Sequence, residues 1–133
     1  MAVKEVVLDS SAAVALANDE AGARSLVPHY LAGAIMSAVN LAEFVQVLRR
    51  FDLNPEPYLQ IFRDAGMRIV PADAELAIAA GELEHVTRHI GLSLGDRFCL
   101  ALAVGTGRAV VTTDRVWQTI DLGVEVILAR GGD

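Results

Sequence analysis

Five short apolar runs, rich in valine and isoleucine, punctuate the sequence: EVVLD at 5–9, AIMS at 34–37, MRIV at 67–70, AVVTT at 109–113 and VEVIL at 124–128. Their composition is that of buried strands. Between them, apolar residues recur with helical period. Leu41, Phe44, Val45, Leu48 and Phe51 do so over 38–51, and Leu76, Ala80, Leu83, Val86 and Ile90 over 73–90. Asp73, after Pro71, is an N-cap for the second segment. Pro55 and Pro57 punctuate a shorter helix that ends near Gly66, and two short helices fill 11–31. Strands alternating with helices pair in parallel and are covered on both faces. The expectation is an α/β fold of three layers, α/β/α, around a mostly parallel central sheet of about five strands. At 133 residues, with no linker, repeat or low-complexity tract, the chain reads as a single domain over 1–133.

The stretch GLSLGDRFCLALAV at 91–104 departs from ordinary helical patterning. From Phe98 to Val104 no helical face carries a polar residue, so a helix here lies inside the protein. Asp96 opens that helix and sits beside Leu100 and Ala103 on its wheel, where a lone carboxylate loses hydration. A local reading exists: Ser93, three residues earlier, makes a capping box with Asp in place of Glu. The wider pattern adds a second reading. VVLDSS and VVTTDR end two strands in Asp9 and Asp114, and the carboxyl ends of parallel strands share the edge where ligands bind. Asp96 opens the helix leading into the second of these strands. Glu43 lies two turns inside the helix after AIMS, on the border of its apolar face.

Singly, Asp9 and Asp114 read as N-caps and Glu43 as a solvated helix residue. Jointly, four carboxylates at one edge repel one another and raise each other's pKa unless a cation holds them. Oxygen-only ligands suit Mg²⁺ or Mn²⁺. Such a site can activate water and stabilise a phosphoryl group under in-line attack, which is the chemistry of phosphodiester hydrolysis.

The strings VVLDSSAAVALANDE, SAVNLAEFVQVL, GLSLGDRFCLALA and VVTTDRVW together resemble the PIN-domain ribonucleases, and in particular the VapC-type toxins of bacterial toxin–antitoxin pairs. The similarity spans nearly the whole chain. It implies a PIN-like three-layer fold, an Mg²⁺- or Mn²⁺-dependent endoribonuclease acting on RNA, and a cognate antitoxin that occludes the site. By matching motif position, the catalytic acids are Asp9, Glu43, Asp96 and Asp114, with Asp9, Asp96 and Asp114 on the metal. Ser10 and Thr112 match the polar positions that support ligands or water from behind. Arg97 and Arg115 each follow one of the acids and either contact phosphate or pair with acids at the rim. The net charge of −6 argues against broad electrostatic binding of nucleic acid, so RNA would be held locally, for example by a homodimer with arginines along a groove.

Other features are set aside. Cys99 is the only cysteine, which excludes an intrachain disulfide and a thiolate zinc cluster. Hydrophobic residues make up 53% of the chain and mean hydropathy is +0.42, yet the longest apolar runs are about a third of the ~20 residues a membrane span needs. MAVKEVVLD lacks the features of a signal peptide, so the expected location is cytoplasmic, with no membrane association. His85 and His89, near Glu82 and Glu84, have the spacing of a zinc pair but read as a solvated helix face. GTG at 105–107 precedes a strand and reads as a helix stop. Trp117 reads as packing under the last strand rather than stacking on a base. The alternatives are a phospho-accepting receiver-like signalling module, a PIN-type RNA-processing nuclease that is not a toxin, and a metal-free interaction protein. Against the receiver, Asp9 is followed by two serines rather than a second acid, and the only lysine is Lys4.

Overall fold

The computed structural model describes residues 5–130. In chain order the elements are β1 (Val6–Leu8), α1 (Ser10–Ala17), α2 (Ala21–Leu26), a 3₁₀ turn (Val27–His29), β2 (Ile35–Ser37), α3 (Ala38–Arg50), α4 (Glu56–Ala65), β3 (Arg68–Val70), α5 (Ala74–Thr87), α6 (Leu94–Thr106), β4 (Ala109–Thr112), a second 3₁₀ turn (Arg115–Thr119) and β5 (Val126–Leu128). The strands form one sheet in the order β3-β2-β1-β4-β5, and every neighbouring pair is parallel. β1 is therefore central, with Val7 in register with Ile35 on one side and Val110 on the other.

The pleat divides each strand between two apolar layers. Val6, Leu8, Met36 and Val111 pack with Ala12 and Ala13 of α1, Phe44 and Leu48 of α3, and Phe62 of α4. Val7, Ile35 and Val110 point the other way, onto Cys99, Leu100 and Ala103 of α6 and onto Trp117. α5 lies outside α6, meeting it through Ala80, Phe98 and Ala101. Helix α6 is thus enclosed between the sheet and α5, which is why its residues from Phe98 to Ala103 are all buried. Trp117 is fully buried among the apolar residues around β4.

Local signals set several helix ends. Ser37 accepts from the Asn40 N–H to start α3, and Asp73 accepts from the Leu76 N–H to start α5. Gly66 and Gly107 close α4 and α6 with φ of 96° and 67°, conformations that glycine adopts without a Cβ penalty; GTG is indeed a helix stop. The helical periodicity runs further in sequence than the helices do in space. Phe51 is the C-cap of α3 and is 69% exposed, while α5 ends at Thr87 with Val86 also exposed. Both residues lie at helix ends, where the apolar stripe has run past the layer it covers. His89 lies beyond α5, so it and His85 do not share a helix. Among the described residues, no helix is long and apolar enough to cross a membrane.

These placements separate two apolar residues that the sequence treats alike. Leu100→Ala, at 1% exposure in α6, is expected to cost about 2–5 kcal/mol, and Phe51→Ala to stay within about 0.5 kcal/mol of wild type, in denaturant unfolding.

Candidate functional site

The carboxyl ends of β1, β2 and β4 open onto one edge of the sheet, and the acids at that edge are organised by short polar side chains. Asp9 follows β1 directly. Its N–H extends the ladder to the Val111 carbonyl at 2.9 Å, so its position is set by the central strand pairing. It precedes α1, but its carboxylate makes no capping bond to that helix. Instead Oδ2 accepts from the hydroxyls of Ser11 at 2.5 Å and Thr112 at 2.9 Å, and Asp9 is only 3% exposed. Burial pushes its carboxyl up to about 6; the two hydroxyl bonds oppose this, and the charges of Asp96 and Glu43 add to it.

Asp114 follows β4 and remains exposed. Its Oδ1 accepts from the Val116 N–H at 3.0 Å, capping the second 3₁₀ turn, while its own N–H donates to Thr112 Oγ1 at 3.2 Å. Thr112 therefore links the loop that carries Asp114 to the carboxylate of Asp9.

Glu43 projects from α3. Its Oε1 accepts from Ser10 Oγ at 3.0 Å and from Asn40 Nδ2 at 2.9 Å. Asn40 is fully buried and also donates to the Gly95 carbonyl at 3.0 Å, tying α3 to the first turn of α6. A Cβ built on Gly95 would fall onto the Glu43 carboxylate, so a glycine is what lets Glu43 lie across the start of α6.

Asp96, next to Gly95, completes the capping box: its Oδ2 accepts from the Ser93 N–H at 3.1 Å, and its N–H donates to Ser93 Oγ at 3.1 Å. The cap does not exclude electrostatic coupling to the other acids. Burial raises the Asp96 carboxyl, the bonds to Ser93 lower it, and the charges of Glu43 and Asp114 raise it further. Cys99, one turn on, is fully buried, and burial together with these acids pushes its thiol far up, leaving it inert.

The arginines separate. Arg97 Nη1 donates to the Ala80 carbonyl at 3.2 Å, so its guanidinium braces α6 against α5. Arg115 is exposed in the turn beside Asp114.

The donor set is oxygen-only, and the charges that raise Asp9 and Asp96 come from fellow members of the set. Those properties fit a hard divalent cation. Among the described residues, no three His, Cys, Asp or Glu side chains form a ready cage. Mg²⁺ characteristically takes one or two carboxylates and retains waters, so an open group of acids suits it better than it suits zinc.

Asn40, Ser11 and Gly95 were not singled out by sequence reasoning. Asn40 did leave a signal: it is a weak helix former in a first turn, three residues before Glu43 on the same face.

A family model described as the PIN domain matches residues 6–122. Solved structures of similar fold include a toxin–antitoxin complex from Klebsiella pneumoniae, 14% identical with a TM-score of 0.73, covering 93% of this chain and 97% of that one. VapBC2 from Rickettsia felis bound to a promoter DNA fragment is 16% identical, with a TM-score of 0.71 over 93% of this chain and 98% of that one. VapC20 from Mycobacterium tuberculosis, a sarcin-ricin loop cleaving toxin, is 20% identical, with a TM-score of 0.74 over 86% of this chain and 93% of that one. At these identities the likeness is one of fold. No curated protein sequence matches the chain significantly.

The raised Asp9 carboxyl has a thermodynamic signature in metal-free protein. As pH rises from about 4 to 6, the unfolded chain gives up this proton before the folded one does, so folding stability falls through that window and stays lowered above it. Asp9→Asn removes the liability. The metal-free variant is expected to exceed wild type by roughly 1–3 kcal/mol at pH 7–8, with the gap closing below about pH 4, in denaturant unfolding with chelator.

Proposed function

The chain belongs to the PIN-domain family, and from that membership we propose that it is a divalent-metal-dependent endoribonuclease and the toxin of a VapBC-type toxin–antitoxin pair. The observation that carries the reading is the Asp9 carboxylate at the end of the central strand, held by Ser11 and Thr112 and raised first by burial and then by the charges of Asp96 and Glu43. A folded protein keeps such a group of acids together at neutral pH most readily when a cation is its counterpart.

In this reading Asp9, Asp96 and Asp114 hold Mg²⁺ or Mn²⁺. A bound ion would supply positive charge against the phosphoryl group and acidify a water. Glu43 offers the remaining carboxylate to that water, oriented by Ser10 and Asn40. Thr112 and Ser11 hold Asp9 against rotation, as outer-sphere partners of metal ligands do. In the same reading Arg115, exposed in the turn beside Asp114, would contact an RNA phosphate, whereas Arg97 serves the α5–α6 contact. With a net charge of −6, RNA is held locally rather than by a broad positive field, and a homodimer that brings two sets of rim arginines together meets that need. The toxin assignment is supported by fold likeness to proteins described as toxin–antitoxin complexes and implies a cytoplasmic protein whose site a cognate antitoxin covers.

Purified protein is expected to cleave RNA with Mn²⁺ or Mg²⁺ and to stop in excess chelator. Asp96→Asn is expected to lose more than the roughly 10–100-fold that removing an outer-sphere partner costs. Undiminished cleavage in chelator by both wild type and Asp96→Asn would exclude the mechanism.

Expression of the chain alone in bacteria is expected to arrest growth, with Asp9→Ala or Asp96→Asn relieving the arrest at equal protein level. A harmless wild type that still cleaves RNA in vitro would instead mark an RNA-processing nuclease.

A further inference from the structure

Glu43 is the one acid of the group carried in the interior of a long helix, and three rotatable bonds separate its carboxylate from the backbone. Its direction must come from what it touches. We propose that Asn40 and Gly95 form a seat that fixes the Glu43 carboxylate, with Asn40 as a positioning residue and Gly95 contributing the space of its missing side chain. The proposal rests on the reading of this edge as a divalent-cation site.

The hydrogen bonds around Asn40 leave it one orientation. Its Oδ1 accepts from Ser37 Oγ at 2.6 Å, and its Nδ2 donates to Glu43 Oε1 at 2.9 Å and to the Gly95 carbonyl at 3.0 Å. Flipping the amide would set Oδ1 against a carboxylate and a carbonyl, two acceptors without a proton between them. Ser10 holds the same Glu43 oxygen at 3.0 Å. The three atoms nearest to a Cβ on Gly95 all belong to the Glu43 carboxyl group, so the carboxylate rests directly on the backbone of the residue preceding Asp96. Through this seat, the position of Glu43 is referred to the element that carries Asp96 rather than to α3 alone.

The two members of the seat differ in what else they support, and this separates positioning from folding. Asn40 is buried, so its removal affects both. A methyl at Gly95 meets only the far end of a flexible side chain among its nearest neighbours, and alanine is the better helix former in the first turn of α6. Gly95→Ala should therefore displace Glu43 while leaving the fold intact.

Mn²⁺ affinity is measured by titration calorimetry and by the Mn²⁺ electron paramagnetic resonance signal, for wild type, Gly95→Ala, Asn40→Ala, Glu43→Gln and the Asn40→Ala/Glu43→Gln double variant. The thermal midpoint in chelator is measured alongside. Because Glu43 reaches the ion only through water in this reading, Gly95→Ala, which displaces it, is expected to weaken Mn²⁺ about 10-fold, the loss of an outer-sphere partner, with an unchanged or higher midpoint. Asn40→Ala is expected to weaken it similarly, and the double variant to bind no more weakly than Glu43→Gln alone, because Asn40 acts through Glu43. If wild type binds Mn²⁺ while Gly95→Ala binds it equally well and the double variant's losses add, the seat is overturned and the cation site stands. If wild type binds no Mn²⁺, the cation site falls and the seat with it.

Discussion

A carboxylate with almost no access to solvent stands at the end of the central strand, and the rest of the site is arranged around that fact. Asp9 cannot move away from burial, because its backbone N–H is part of the β1–β4 ladder. Stripping water from a carboxylate is costly unless hydrogen bonds, a proton or a cation take its place. Ser11 and Thr112 provide two hydrogen bonds from opposite ends of the sequence, yet burial still outweighs them and the carboxyl is raised to about 6. The fold thus holds in place a group that is unfavourable when charged and alone, an arrangement suited to a ligand that brings positive charge.

The two helices that complete the acidic edge begin with the same local device. α3 opens with Ser37 capping Asn40, and α6 with Ser93 capping Asp96, so in each the third helical residue turns its side chain back toward the helix start. In α6 that side chain closes the capping box; in α3 it reaches forward to Glu43 and across to α6. Capping and site-building are compatible because both take place in the first turn, where backbone N–H groups favour negative charge and the helix meets the sheet edge. The question of whether Asp96 is a cap or a coupled acid has a double answer: its oxygen closes the helix, and its charge is felt by Asp9.

Much of this was legible in the sequence. Runs of valine and isoleucine separated by helical periods are produced by a parallel sheet covered on both faces, and all five runs contain strands. An aspartate that ends such a run is visible as Asp9 or Asp114 because the strand before it is visible. Periodicity overreached at Phe51 and Val86 because it reports the repeat of a helix and not the width of the layer that covers it. Asn40, Ser11 and Gly95 stayed hidden for a different reason. Their meaning lies in contacts with partners 55 or 101 residues away, or in a side chain that is absent, and no local spacing encodes those.

The sheet order also governs when the site can exist. The strand that leads into Asp9 pairs with β4, whose Thr112 hydroxyl lies 103 residues further along the chain. Closing so long a loop comes late and slowly in folding. A chain in which β4 and α6 have not yet docked therefore holds Asp9 without the Thr112 hydroxyl, and Asn40 without the Gly95 carbonyl that ties α3 to α6. For a protein proposed to act on RNA, this ties the proposed activity to completed folding: the acid at the end of the central strand gains its full set of partners only once the sheet has closed around it.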